Sequence, residues 1–251
     1  MLIDTHAHLD DPKFEGELAA VLARARDAGV GRIVTIGTDL ESSDRARRIA
    51  EQEADVWFSP GIHPHCADAP GDVDGLRALA AHPRAVAVGE TGLDYVKNFS
   101  QVPHQQRLFE RHLEIAAEVG KPVSIHCREA HGDCLSILRA HGPTRGVIHC
   151  FTGDLAAVEG YLALNFYLSL AGPVTYPSAK ALRDAVREIP LENLLVETDC
   201  PLLAPQARRG QRNEPAYVRF TAEEIARVKN VAVEELEAAT TRNARRLFGI
   251  A

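Results

Sequence analysis

Short apolar runs recur along the chain, and between them lie longer stretches whose apolar positions return every three or four residues. The runs open with Leu2 and Ile3 and continue at 32–37, 56–60, 85–90, 122–126, 146–149, 166–170 and 193–199. Their length and β-branched content predict buried strands. Helical spacing fills the intervals at about 14–28, 42–53, 73–81, 103–119, 132–140, 155–164 and 178–187. Gly29 and Gly120 suit helix stops, and Pro103 suits a first helical turn. Two more helical stretches, 214–229 and 233–248, follow the last strand.

Eight alternations of strand and helix predict an α/β protein, a single (β/α)8 barrel with extra C-terminal helices. An open, doubly wound sheet is the alternative, because periodicity does not separate a closed sheet from an open one. No Gly/Ser/Pro-rich linker interrupts the 251 residues, a length typical of one barrel, so residues 1–251 are expected to form one domain.

Composition narrows the function. A hydrophobic content of 45% supports a large core, and a net charge of −7 disfavours coating of nucleic acid or anionic membrane by bulk attraction. A polyanionic substrate would need a local site. The five cysteines are scattered without a C-x-x-C pair, the first residues lack a basic cap and apolar core, and no apolar run is long enough to span a bilayer. A soluble, cytoplasmic protein with reduced thiols and no membrane partner is expected.

Candidate chemistry collects on one face of the predicted barrel. His6 and His8 end the first strand, Glu90 the fourth, His126 the fifth, His149 the sixth and Asp199 the eighth. Barrel enzymes build their sites at the C-terminal ends of strands. Four imidazoles and two carboxylates exceed what one tetrahedral ion with an open position needs, and they suit two divalent cations, with Glu90 placed to bridge them. Asp199 is a ligand and proton acceptor in this scheme. His63 at the end of the third strand, Arg128 and Arg212 are candidate contacts to a substrate phosphate, while Arg208 and Arg209 are as readily a solvated loop. Cys127, Cys150 and Cys200 each follow a ligand candidate and should face away from it. Phe151 and Tyr95 fit packing better than base stacking.

The ordered set Asp4-Thr5-His6-Ala7-His8-Leu9-Asp10, Gly61-Ile62-His63-Pro64, Gly89-Glu90-Thr91-Gly92-Leu93-Asp94-Tyr95, His126-Cys127-Arg128-Glu129-Ala130, His149-Cys150-Phe151-Thr152-Gly153, Glu197-Thr198-Asp199-Cys200-Pro201 and Arg212-Asn213-Glu214-Pro215 resembles the TatD-type deoxyribonucleases among the amidohydrolase-like barrels. The likeness spans almost the whole chain. It implies one metal held by His6, His8, Glu90 and Asp199 and a second by Glu90, His126 and His149. It also implies hydrolysis of DNA, often from a single-stranded or 3′ end, with Mg²⁺, Mn²⁺ or Zn²⁺. Thr91, Cys127 and Cys200 depart from the residues usual in that family. Barrels with this metal chemistry also hydrolyse small amides, lactones and esters, and a non-catalytic nucleic-acid-binding protein is a further, weaker alternative.

Overall fold

The computed structural model describes residues 1–97 and 99–250. Strands β1 (Leu2–Ala7), β2 (Val30–Ile36), β3 (Val56–Ser59), β4 (Val88–Asp94), β5 (Val123–Arg128), β6 (Gly146–Ile148), β7 (Tyr167–Leu170) and β8 (Leu194–Val196) alternate with helices. These are α1 (Leu18–Asp27), α2 (Leu40–Gln52), α3 (Val73–Ala80), α4 (Val102–Val119), α5 (His131–His141), α6 (Leu155–Leu162) and α7 (Lys180–Glu188), followed by α8 (Val218–Lys229) and α9 (Val233–Phe248). Every pairing within the two runs β1-β2-β3 and β4 to β8 is parallel.

The two runs join into a barrel. At one seam Val86 N donates to Phe58 O at 2.9 Å and Gly89 N to Pro60 O at 2.8 Å. At the other, Asp199 N donates to His6 O at 2.9 Å and His8 N to Cys200 O at 2.8 Å. With both seams hydrogen-bonded the sheet is closed, which excludes the open alternative.

Of the boundaries that differ from the sequence expectation, three have a clear local reason. Helix α1 begins at Leu18 because Asp11 caps a separate 3-10 turn over Pro12–Phe14 and Gly16 has φ of +74°, which no α-helix continues. Strand β8 stops at Val196, because Asp4 takes the Thr198 N–H and hydroxyl at 2.9 and 2.6 Å and turns the chain toward β1. Strand β4 starts at Val88 and runs to Asp94, so Glu90 lies inside it rather than at its end.

That last difference positions the site. Val88 pairs with Val123 but Thr91 with Ile125, so β4 carries one extra residue at Gly89-Glu90, a β-bulge. Only glycine fits before it: a Cβ on Gly89 would lie 2.2 Å from Ser124 O. Strand β1 slips in the same way between Asp4 and Ala7, around His6.

The main core fills the shell between strands and helices. A second cluster unites Ile3, Val34, Val147 and Leu195, from strands around the ring, with Leu247, Phe248 and Ile250 at the end of α9. The C-terminal helix thus closes the end of the barrel from which these strands start. The end where they finish is left for the cleft.

Candidate metal centre

Two groups of donor atoms meet on the two oxygens of one carboxylate. Facing Glu90 Oε2, His6 Nε2 stands at 3.5 Å and His8 Nε2 at 3.8 Å, and these nitrogens are 3.3 Å apart. Asp199 Oδ1 completes this group at 3.7 Å from His6 and 3.3 Å from His8. Facing Glu90 Oε1, His149 Nε2 stands at 2.8 Å and His126 Nδ1 at 3.1 Å, with 3.2 Å between the two nitrogens. The His6 ring stacks on His149 at 3.8 Å between centroids, which sets the groups side by side. Sequence reasoning named all six residues, and the fold brings all six together.

The other ring nitrogens fix which atoms carry lone pairs. His8 Nδ1 donates to Ile36 O at 3.1 Å, His126 Nε2 to an Asp94 carboxylate oxygen at 3.2 Å and His149 Nδ1 to Glu197 Oε1 at 3.3 Å. A histidine that donates one N–H to an oxygen presents the opposite nitrogen as an electron-pair donor, the arrangement around metal-bound imidazoles. His63 is different: its Nδ1 accepts the His65 N–H at 3.1 Å, so the neutral ring carries its proton on Nε2, which points at Glu90 Oε1 from 3.4 Å. This makes His63 a hydrogen-bond donor to the centre.

Electrostatics favour a cation. Against burial, which would raise it, His149, His63 and His126 hold the Glu90 carboxyl well below its usual range, and His8 and His6 lower Asp199. Two buried anions then demand positive charge. Against burial in turn, Asp199 and Glu90 raise His8 to about 9, and Glu90 and Glu197 push His149 well above its ordinary value. Protons on imidazole can answer the carboxylates, and so can a divalent ion on the same lone pairs. Donors about 2.1 Å from a tetrahedral ion lie about 3.4 Å apart, and separations in the first group are 3.3 to 3.8 Å. The donor set fits divalent metal.

Comparison with known proteins decides the family. The family model described as TatD related DNase matches residues 3–249. The chain belongs to that family. A metal-dependent hydrolase, YcfH of Escherichia coli K12, is 44% identical over 254 residues, covering 99% of this chain and 96% of its own. A TatD of Edwardsiella piscicida, described as a 3′-5′ ssDNA/RNA exonuclease, is 36% identical over 260 residues, covering 100% of both. The solved structure of YJJV, a TatD homologue from Escherichia coli K12, matches with a TM-score of 0.94 at 32% identity, over 100% of this chain and 98% of that one.

In this TatD-family chain His8, Glu90, His126, His149 and Asp199 line a cleft of about 700 Å³ at the end of the barrel where the strands finish, and His6 is fully buried beside them. Exposed Arg128 and Lys97 line it. Arg212 does not: its guanidinium donates to Glu17 Oε2 at 2.6 Å and to Lys13 O, and lies over the Phe14 ring. Arg212, expected at a substrate phosphate, is held by this internal tie and is not among the residues lining the cleft. Arg208 stacks on Tyr217 and Phe220, and Arg209 on Tyr176. Cys127 Sγ faces His131 Nδ1 at 3.3 Å and the Tyr161 hydroxyl at 3.4 Å, away from the donors. Phe151 packs against His131 and Tyr161, and the Tyr95 hydroxyl donates to Asp133 at 2.7 Å.

Sequence reasoning gave no role to Asp94 and Glu197, the carboxylates behind His126 and His149. Asp94 also accepts from His65 and from the N–H groups of Val96 and Lys97. Glu197 also accepts the Cys150 N–H at 2.6 Å. The available signal was a second acidic residue near each ligand candidate, Asp94 after Glu90 and Glu197 before Asp199.

Proposed function

We propose that this TatD-family enzyme is a divalent-metal-dependent deoxyribonuclease that removes nucleotides from the 3′ ends of single-stranded DNA. The carrying observation is Glu90, whose two carboxylate oxygens face two separate groups of nitrogen donors at the floor of the cleft. His6, His8, Glu90 and Asp199 would hold one ion, and Glu90, His126 and His149 a second. Magnesium, manganese or zinc at these positions would supply Lewis acidity toward a phosphoryl oxygen and toward the attacking water.

The protein residues do the rest. Asp199, at the cleft floor, takes the proton of the attacking water. His63 holds its Nε2–H beside Glu90 and offers it as a hydrogen bond to a phosphoryl oxygen, while the proton taken by Asp199 passes on to the departing oxygen. Arg128 and Lys97, exposed cations among the cleft-lining residues, hold the phosphates. Glu197 and Asp94 keep the imidazoles of His149 and His126 aimed. The reading is supported by the family and by the naming of the Edwardsiella piscicida relative as a single-strand exonuclease.

A cytoplasmic setting belongs to the same proposal. All five cysteines are unpaired, as in a reducing compartment, and no helix among the described residues is long and apolar enough to cross a membrane.

The test is metal-stripped protein given single-stranded DNA labelled at its 5′ end. Add-back of Mg²⁺, Mn²⁺ or Zn²⁺ should produce a ladder that shortens from the unlabelled 3′ end. No cleavage with any of the three, together with turnover of a small amide, lactone or ester, would overturn the nuclease reading.

A further inference from the structure

The turn after Asp199 places two adjacent leucines in the wall of a cleft whose floor is charged. Leu202 is 51% exposed and Leu203 38%, and both line the cleft. Exposed apolar side chains at a binding cleft are a liability in water unless something covers them. Leu203 moreover has φ of +52°, a left-handed backbone that disfavours side chains other than glycine, asparagine and aspartate.

The surroundings enforce this conformation. Leu202 N donates to Asp199 O at 3.0 Å. Buried Asn213 donates from Nδ2 to Leu202 O at 2.6 Å and to Thr198 O at 2.9 Å. From the other side, Gly172 approaches so closely that a Cβ there would stand 2.1 Å from Leu203 O. The pair is thus tied at fixed distance to Asp199, and a strained residue held so tightly beside a reactive centre points to a role there.

We propose that Leu202 and Leu203 form the apolar platform on which the nucleobase next to the scissile phosphate rests. The inference depends on the nuclease reading above. A base within a duplex is stacked on its neighbours, so only an unpaired base can lie on the platform, and every base offers an apolar face to it. The platform therefore selects single-stranded ends without selecting sequence.

The experiment crosses a protein change with a substrate change. The double variant Leu202→Ala, Leu203→Asn removes the apolar surface, and asparagine accepts the positive φ. Leu203→Asn alone is the milder second variant, with metal content as the check on folding. Each is assayed on a 5′-labelled single strand with natural 3′ nucleotides and on the same strand with its last two residues abasic. Wild-type protein should show KM about tenfold higher on the abasic strand. The double variant should show that same rise on the natural strand, no further rise on the abasic one, and an unchanged kcat. Equal KM of the wild type on both strands, or a variant that keeps the full preference for the natural strand, overturns the platform alone. Failure of the wild type to cut either strand with divalent metal overturns the nuclease reading and the platform together.

Discussion

His149 donates its Nδ1–H to Glu197 Oε1 across 3.3 Å, which leaves its Nε2 facing Glu90 Oε1 at 2.8 Å. A buried carboxylate behind a metal-binding imidazole fixes the ring and raises its basicity. Glu197→Gln retains an acceptor for the Cys150 N–H but weakens the partner of His149. Divalent-metal affinity is expected to fall about 10- to 100-fold, read by isothermal titration, with thermal unfolding little changed. An unchanged affinity would remove Glu197 from the account.

His126 contributes to only one of the two donor groups. His126→Ala should leave the position formed by His6, His8, Glu90 and Asp199 able to bind, while the second ion is lost and the cleavage rate falls by more than about 100-fold, the scale of losing one preorganised electrostatic group. Elemental analysis alongside the rate checks it. A variant with wild-type metal content and rate would contradict the assignment.

Two arginines predicted alike from sequence should behave differently. Arg128 lines the cleft, so Arg128→Ala should raise KM for DNA and flatten the slope of log affinity against log salt by about 0.7, the value of one phosphate contact on a single strand. Arg212 is engaged by Glu17 and the Lys13 carbonyl. Arg212→Ala should leave KM and the salt slope as they are, which steady-state kinetics at several salt concentrations will show.

A buried histidine outside the centre gives the fold a pH dependence. His112 Nε2 accepts the Ile62 N–H at 3.0 Å and its Nδ1 donates to Leu108 O at 2.7 Å. Burial pushes it down to about 4 from an ordinary 6.5. Between these values the unfolded chain binds a proton that the folded protein refuses. Its contribution is therefore complete above pH 6.5 and is lost as pH falls toward 4, by about 3 kcal/mol in all. His112→Gln keeps an acceptor for Ile62 and cannot titrate there. Urea unfolding at pH 7 and 4.5 should show a smaller loss for the variant, and equal losses would contradict the role.

The alternation of apolar runs and helical spacing made the barrel legible, because most strand positions are buried and strands such as β6 and β8 read as short apolar stretches. The six donors were legible for the same reason, as polar residues following or interrupting those stretches. The bulge at Gly89-Glu90 was not, because it depends on how closely β5 approaches, which a one-dimensional pattern does not carry. Glu197 and Asp94 were visible as residues but not as partners, since their roles come from long-range pairings to His149 and His126. The contacts of Arg212 were not legible either, since its position after β8 does not tell that its side chain reaches across to Glu17 and the Phe14 ring.

Metal stoichiometry tests the shared carboxylate most directly. Metal-stripped wild-type protein and Glu90→Ala are each reconstituted with excess Mn²⁺ or Zn²⁺, freed of unbound ion and analysed for metal per chain, with circular dichroism to confirm folding. Two ions in the wild type and fewer than one in the variant are predicted, because Glu90 contributes one oxygen to each donor group. A single ion in the wild type, or two ions retained by folded Glu90→Ala, would contradict a centre built on that side chain.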